Sequence, residues 1–305
     1  MNPAHATEPV RPTASRTAWN GFYVHQLRND FVSVAVAPEL GAKVVSLKNL
    51  RTGREWMYRP ENFKLFQNQL GDDFARSTMM GWDECLPTIS PCIWRGRALP
   101  DHGEAWAAAW KLDEAVWRQG RIRTSVPLPV SPLEFARTLE LQGDKLDIEY
   151  HLKNQSDEPQ DFLWAMHPLL ELHKGDRLQL TPETRRYLAK EPWLDFLDFP
   201  QNGPGCAKAY AGPLTERQAG VFNAATGDGL QFTWDADAGD TLGLWLTRGG
   251  WHGHHHLALE PANGAPDSLA QAAGEWKRCG VLAPLGEKKW RVQIRVLGGS
   301  DGLQK

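Results

Sequence analysis

The sequence predicts an all-β protein, one large antiparallel β domain with few short helices, on three observations. Short runs of β-branched and aromatic residues alternate with polar ones at a period of two. The segments between them are Gly, Pro, Asn and Asp turn formers. Helical periodicity is scarce across the 305 residues, and no fixed-period repeat or Pro/Gly linker divides them.

In chain order, Met1 to Arg16 is rich in Pro, Ala, Thr and Ser and reads as a flexible N-terminal arm, with a single domain over 17–305. Phe31 to Val36 and Lys43 to Lys48 flank the turn formers Pro38 and Gly41, and Leu50 to Trp56 resembles a further hairpin, so the domain opens as a β-meander. Gly81 to Thr88 is a segment bounded by Gly and Pro, and Ala105 to Asp113 fits either a helix or a strand. Three strands follow, Phe135 to Leu141, Lys145 to Lys153 and Asp161 to His167, separated by turns at 142–144 and 154–159. The middle one alternates Leu146, Ile148 and Tyr150 against Asp147, Glu149 and His151, the pattern of a strand with one face buried. The last third repeats the style in Leu230 to Trp234, Thr241 to Leu246, His255 to Glu260 and Lys289 to Val296, with a short helix predicted between Pro266 and Cys279.

Hydrophobic residues at 41% and charged residues at 23% suit a globular domain with a sizeable core. A net charge of −3 and the lack of a long Lys/Arg run argue against a nucleic-acid partner. No window is apolar enough to span a bilayer and the N-terminus lacks a signal-peptide core, so a cytoplasmic protein without a membrane partner is expected. Cys85, Cys92, Cys206 and Cys279 fit neither a CxxC redox motif nor a zinc knuckle and are expected to be free thiols. Dinucleotide, P-loop and nucleophile-elbow motifs are absent. The fourteen tryptophans serve a core and a sugar-stacking surface equally well by type.

Three segments deliver a polar group into an apolar or aromatic setting: Asp101-His102-Gly103-Glu104, Met166-His167-Pro168 and Leu259-Glu260-Pro261. Parity places His256, Ala258 and Glu260 on one face of their strand and Leu257 and Leu259 on the other. At a strand end before Pro261, Glu260 is expected to stay hydrated and ionised, able to act as a base. His167 is held by the following proline, which restricts its backbone. His102 sits in a turn between Pro100 and Gly103 that can face a cleft, with Trp106 close behind. Trp82, Asp83 and Glu84 join an aromatic face to two carboxylates, the residue types a sugar site uses; the same run also suits a surface loop pinned by its tryptophan. Arg76, upstream, could donate a fork of hydrogen bonds to sugar oxygens. The string His252-Gly-His-His-His256 offers no metal site, because alternate residues of a strand face opposite ways and at most two imidazoles easily meet.

In this order the residues resemble the aldose 1-epimerase (galactose mutarotase-like) family. The resemblance runs through Pro38 to Leu47, His102-Gly103, a Tyr-x-Leu-x-Asn strand at 150–154, His167-Pro168, Leu259-Glu260-Pro261 and a Leu-x-Pro-x-Gly-Glu at 282–287. It implies a β-supersandwich with a carbohydrate cleft, no cofactor, a small-molecule carbohydrate as partner, and a monomer or homodimer. It also implies an isomerase that exchanges the anomers of a hexose or modified hexose by opening and reclosing the ring. Glu260 then corresponds to the base, His167 to the acid, His102 to an assisting donor and Arg76 to the substrate-binding arginine. Asp235 is taken as the mid-chain sugar-binding aspartate, and Trp82, Asp83, Glu84, Trp106 and His256 as further substrate contacts. The alternative is a non-catalytic carbohydrate-binding or sensing module on the same fold; a carbohydrate lyase or hydrolase is a third class.

Overall fold

The structure, a computed structural model, describes residues 12–190 and 205–298. Strand accounts for 48% and helix for 8%, so the all-β expectation holds. The first strands are β1 (Thr13–Trp19), β2 (Phe22–Arg28), β3 (Val32–Ala37), β4 (Lys43–Asn49), β5 (Trp82–Cys85), β6 (Cys92–Trp94) and β7 (Arg97–Leu99). Then come β8 (Lys111–Leu112), β9 (Ile122–Pro127), β10 (Leu133–Gln142), β11 (Lys145–Asn154), β12 (Gln160–Phe162), β13 (Ala165–Leu170) and β14 (Asp176–Leu180). The last are β15 (Cys206–Ala211), β16 (Gln218–Asn223), β17 (Gly229–Trp234), β18 (Thr241–Arg248), β19 (His255–Ala262), β20 (Gly280–Leu282) and β21 (Glu287–Leu297).

Two large sheets result. A nine-stranded sheet has the order β1-β2-β3-β4-β5-β13-β19-β18-β15, and an eight-stranded sheet the order β14-β16-β17-β21-β11-β10-β9-β8. Their facing sides build one continuous core. From β11 come Leu146, Ile148, Tyr150 and Leu152, and from β21 Val292, Ile294 and Val296. These pack with Val32, Val34 and Val36 of β3 and with Leu257 and Leu259 of β19. Each such aliphatic side chain taken fully from water contributes about 1.5–3 kcal/mol. The period-2 pattern of β11 is thus realised, with buried and half-buried residues alternating along its length.

Several local expectations change. Thr13 to Arg16 belong to β1, paired with β2, so the part of the predicted arm within the described residues is ordered by strand pairing. Leu50 to Trp56 does form a short hairpin, returning along the end of β4: Glu55 pairs antiparallel with Lys48, the Asn49 N–H donates to Arg54 O and the Trp56 N–H to Leu47 O, each at 2.9 Å, and the Glu55 carboxylate takes up the Leu47 and Met57 N–H groups. Asp161 to His167 divides into β12, paired with β20, and β13 in the nine-stranded sheet. Gly81 to Thr88 contains β5, a central strand. The predicted C-terminal helix is short, Leu269–Gln271 followed by one π turn over Ala272–Trp276.

Candidate functional site

The outer face of the nine-stranded sheet carries the polar groups. His167 pairs in register with Asp83 of β5. The β13/β19 register, Ala165 opposite Ala262 and Leu169 opposite Ala258, sets His167 against Glu260. Glu260 is in turn opposite Gly243 of β18, which is opposite Tyr210 of β15. One cross-strand row therefore runs Asp83, His167, Glu260, Gly243, Tyr210. Gly243 is required there by close approach: a Cβ would lie 2.7 Å from Glu260 Oε2. That gap lets the carboxylate lean toward Lys208, whose Nζ donates to Oε2 at 2.8 Å and lies 3.2 Å from Asp267 Oδ1.

His102 reaches this row from a loop. It adopts a left-handed backbone with φ 56°, uncommon for a residue with a side chain, and is held there by its neighbours. Its N–H donates to Ile89 O at 2.6 Å. The next residue, Gly103, sits so close to Leu86 that a Cβ would meet the carbonyl oxygen at 2.2 Å. The ring lies 2.9 Å, Nδ1 to Oδ1, from Asp101, stacks on Phe74 with centroids 3.7 Å apart, and meets His167 edge-on at 5.1 Å. Asp101 also accepts the Phe74 N–H at 3.1 Å, tying this loop to the 3-10 turn over Phe74–Arg76.

These groups enclose a cavity of about 250 Å³. At ~30 Å³ per water that is the space of about eight waters, the scale of one monosaccharide. His102, Asp101, His167, Lys208 and Asp267 supply its polar wall, while Phe74, Met79, Trp245 and Trp251 supply its apolar one, with His256 beside the tryptophans. Glu260 lies directly behind the wall, 1% exposed, with Oε1 3.5 Å from His167 Nε2 and without a hydrogen-bond partner among the described residues.

Charge follows burial. Burial raises the Glu260 carboxyl above the usual range, against the pull of Lys208. Burial works against the Lys208 ammonium too, but Glu260 and Asp267 outweigh it and hold the lysine above its ordinary value. His167 is driven well below the ordinary histidine value by burial and then by His102 and Lys208, so its imidazole is neutral. Burial also opposes ionisation of Asp101, yet its hydrogen bond and charge interaction with His102 prevail and keep the carboxyl below the usual range. The expectation of a hydrated Glu260 at a strand end is therefore corrected: β19 continues to Ala262, and a lysine rather than water balances the carboxylate.

Of the residues proposed from sequence, His102, His167, Glu260 and His256 come together. Trp106 is one layer out, its ring edge-on to Phe74 at 5.0 Å and its Nε1 donating to Asp101 O. Asp83 is buried beside His167 and ion-paired with Lys43, beneath the cavity rather than on its wall. The others are elsewhere. Trp82 and Glu84 alternate with Asp83 and so face the inter-sheet core, where Trp82 packs under the Arg137 guanidinium at 5.0 Å. Arg76 is exposed, its nearest carboxylate Asp73 at 3.7 Å, beside a separate cleft shared with Lys64, Ser77 and His254. Asp235 follows β17 of the other sheet and caps a turn by accepting the Ala238 and Arg291 N–H groups. Sequence reasoning missed Lys208 and Asp267 as site residues. Lys208 lies in Cys206-Ala-Lys-Ala-Tyr-Ala211, whose lysine and tyrosine share a parity among alanines, but nothing local names its partner.

Of the remaining histidines, His254 is 3.0 Å from the Tyr58 hydroxyl and His252 has a left-handed backbone in the turn before β19. Among the described residues no three His, Cys, Asp or Glu side chains gather to hold a metal. The four cysteines are free thiols. No described helix is long and apolar enough to cross a membrane.

No family model and no curated protein matches the sequence. Solved structures do. A Klebsiella pneumoniae protein named "putative aldose 1-epimerase" superposes with a TM-score of 0.74 at 16% identity, over 93% of this chain and 81% of that one. A galactose mutarotase-like protein from Clostridium acetobutylicum gives 0.69 at 12% identity, over 95% and 99%. A galactose mutarotase-like protein from Lactobacillus casei gives 0.63 at 15% identity, over 90% and 99%. The chain therefore has the galactose mutarotase-like β-sandwich fold, and the family resemblance seen in the sequence holds at the level of fold.

Proposed function

We propose that the protein is an aldose 1-epimerase-type isomerase that exchanges the anomers of a hexose or modified hexose. The observation that carries this is the meeting of His167 and His102, from β13 and a distant loop, on the wall of one monosaccharide-sized cavity, with Glu260 of β19 3.5 Å behind His167. Glu260 Oε1, without a hydrogen-bond partner among the described residues, takes the proton of the anomeric hydroxyl as the bond from C1 to the ring oxygen breaks. The ring oxygen gains a proton from the imidazole side, C1 becomes a carbonyl, rotation follows, and reclosure from the other face returns both protons. Buried and neutral, His167 serves as the hydrogen-bond partner of the ring oxygen; His102, half-buried against the ionised Asp101, carries the proton to and from solvent. This differs from the role His167 has by resemblance, because a dry imidazole between a lysine and another histidine is a poor place for a standing positive charge. Acid–base groups positioned this way contribute roughly 10²–10⁴-fold each.

The test is anomer exchange followed by polarimetry or NMR on freshly dissolved α- and β-hexoses. The expected result is faster exchange of at least one sugar. Saturable sugar binding with unchanged exchange across a broad panel would replace the isomerase with a carbohydrate-binding or sensing role for the same cavity.

A further inference from the structure

We infer that His256 reads the hydroxyls on the sugar edge opposite the anomeric carbon and so decides which ring pattern the cavity accepts; this rests on the isomerase reading above. His256 lines the cavity and is fully buried, yet neither ring nitrogen has a hydrogen-bond partner among the described residues. A buried polar group left unpaired costs about 1–3 kcal/mol, so two on one ring call for a ligand that bonds them. The ring is also fixed without using those nitrogens. Tyr58 packs against it at 4.9 Å, with Trp251 perpendicular at 6.4 Å and His254 at 6.1 Å. Packing sets the plane without engaging either nitrogen.

Position along β19 gives the cavity two ends. His256 and Glu260 share a face of the strand. At ~3.3 Å per residue their Cα atoms are about 13 Å apart; with both side chains standing off the same face, that span takes one pyranose ring and a hydrogen bond of ~2.8 Å at each end. A sugar whose anomeric hydroxyl meets Glu260 therefore directs its C3–C4 edge toward His256 and the two tryptophans. Burial pushes the His256 imidazole down to about 3, so it stays neutral, with one N–H donor and one acceptor nitrogen. That pairing matches hydroxyls, which both give and take hydrogen bonds. It does not match a phosphate or carboxylate, which only accepts.

The experiment compares kcat/KM for exchange of whichever of glucose, galactose and mannose reacts fastest with the same sugar lacking its 2-, 3- or 4-hydroxyl, in wild type, His256→Phe and His256→Gln. The wild type is expected to reject the 3- or the 4-deoxy sugar by at least about 10²-fold, since a site built to bond a hydroxyl discriminates strongly against its loss. His256→Phe brings that ratio to within a few-fold of one by losing rate on the parent sugar, and leaves the 2-deoxy ratio unchanged. His256→Gln, which keeps a donor and an acceptor, retains part of the preference. An unchanged melting temperature for His256→Phe separates lost reading from lost fold. If wild type accepts both deoxy sugars as readily as the parent, or if His256→Phe keeps the full preference, the assignment of His256 is wrong while the isomerase stands. Absence of exchange in wild type removes both.

Discussion

Glu84 and Glu260 are both fully buried carboxylates on strands of the nine-stranded sheet, and burial raises the pKa of each. Glu84 points inward. Its Oε1 accepts from Arg137 at 2.8 Å and from the Tyr150 hydroxyl at 2.9 Å, and its Oε2 from Trp164 Nε1 at 2.9 Å. Glu260 points outward, with Oε2 on Lys208 and Oε1 without a hydrogen bond among the described residues. Residue type, burial and sheet are shared, so none of them separates a structural carboxylate from a reactive one. The difference is in how the oxygens are used: on the inner face both are hydrogen-bonded, joining two sheets, and on the outer face one is left for a substrate proton.

Paired substitutions test that contrast most directly. Glu260→Gln is expected to reduce anomer exchange by roughly 10²–10⁴-fold while the melting temperature holds, because the amide still accepts from Lys208 but cannot take a proton. Activity surviving this change would remove Glu260 as the base. Glu84→Ala is expected to do the opposite, losing about 3–5 kcal/mol of stability in denaturant unfolding because Arg137 is left buried without its counter-charge. A mild effect there would mean the inner node is replaceable packing.

How much of this contrast was legible beforehand depended on recognising strands. In β19 the alternation of Leu257 and Leu259 with His256 and Glu260 placed the outward carboxylate correctly. In β5 the same parity would have sent Trp82 and Glu84 inward and Asp83 outward, but four residues with two carboxylates carry no apolar alternation, and the segment reads as a loop. The Asp101-His102 turn was visible from its Gly and Pro, whereas Lys208 was not, since β15 reaches Glu260 only across β18, by a sheet order that sequence does not reveal. Arg76 and Asp235 failed for a related reason: both are plausible sugar ligands by type, and only tertiary placement puts one at a neighbouring cleft and the other on the opposite sheet.

A smaller perturbation asks whether the geometry of the open oxygen matters as much as its existence. Gly243→Ala introduces a methyl 2.7 Å from Glu260 Oε2, on the opposite strand of the same row. The carboxylate must shift, and a displacement near 1 Å costs about 10²-fold in rate. The expected signature is a fall in kcat with a small change in KM, measured by NMR exchange at saturating sugar. A variant with wild-type kcat would show that Glu260 has room to move and that the row is less strict than its spacing implies.

The finest test concerns the lysine that Glu260 has and the arginine that Glu84 has. Both cations oppose the upward shift that burial imposes, but Lys208 is shared with Asp267, and its side chain is 21% exposed at the cavity. A base must be deprotonated to work, so kcat/KM is high above the Glu260 pKa and falls as pH drops through it. That acid limb lies above the usual carboxylate value because burial prevails. Removing the ammonium in Lys208→Met removes the charge that holds the Glu260 carboxyl down, so the limb moves further up and the rate within it falls while the plateau above it persists. Stability moves with pH in the opposite direction. A carboxyl whose folded pKa is raised binds its proton more tightly when folded, so the variant is least stable above that pKa and recovers as the pH falls below it. An unmoved limb together with a pH-independent melting temperature would mean that the ammonium does not set the charge of Glu260, and that the two carboxylates differ only in the oxygen left open.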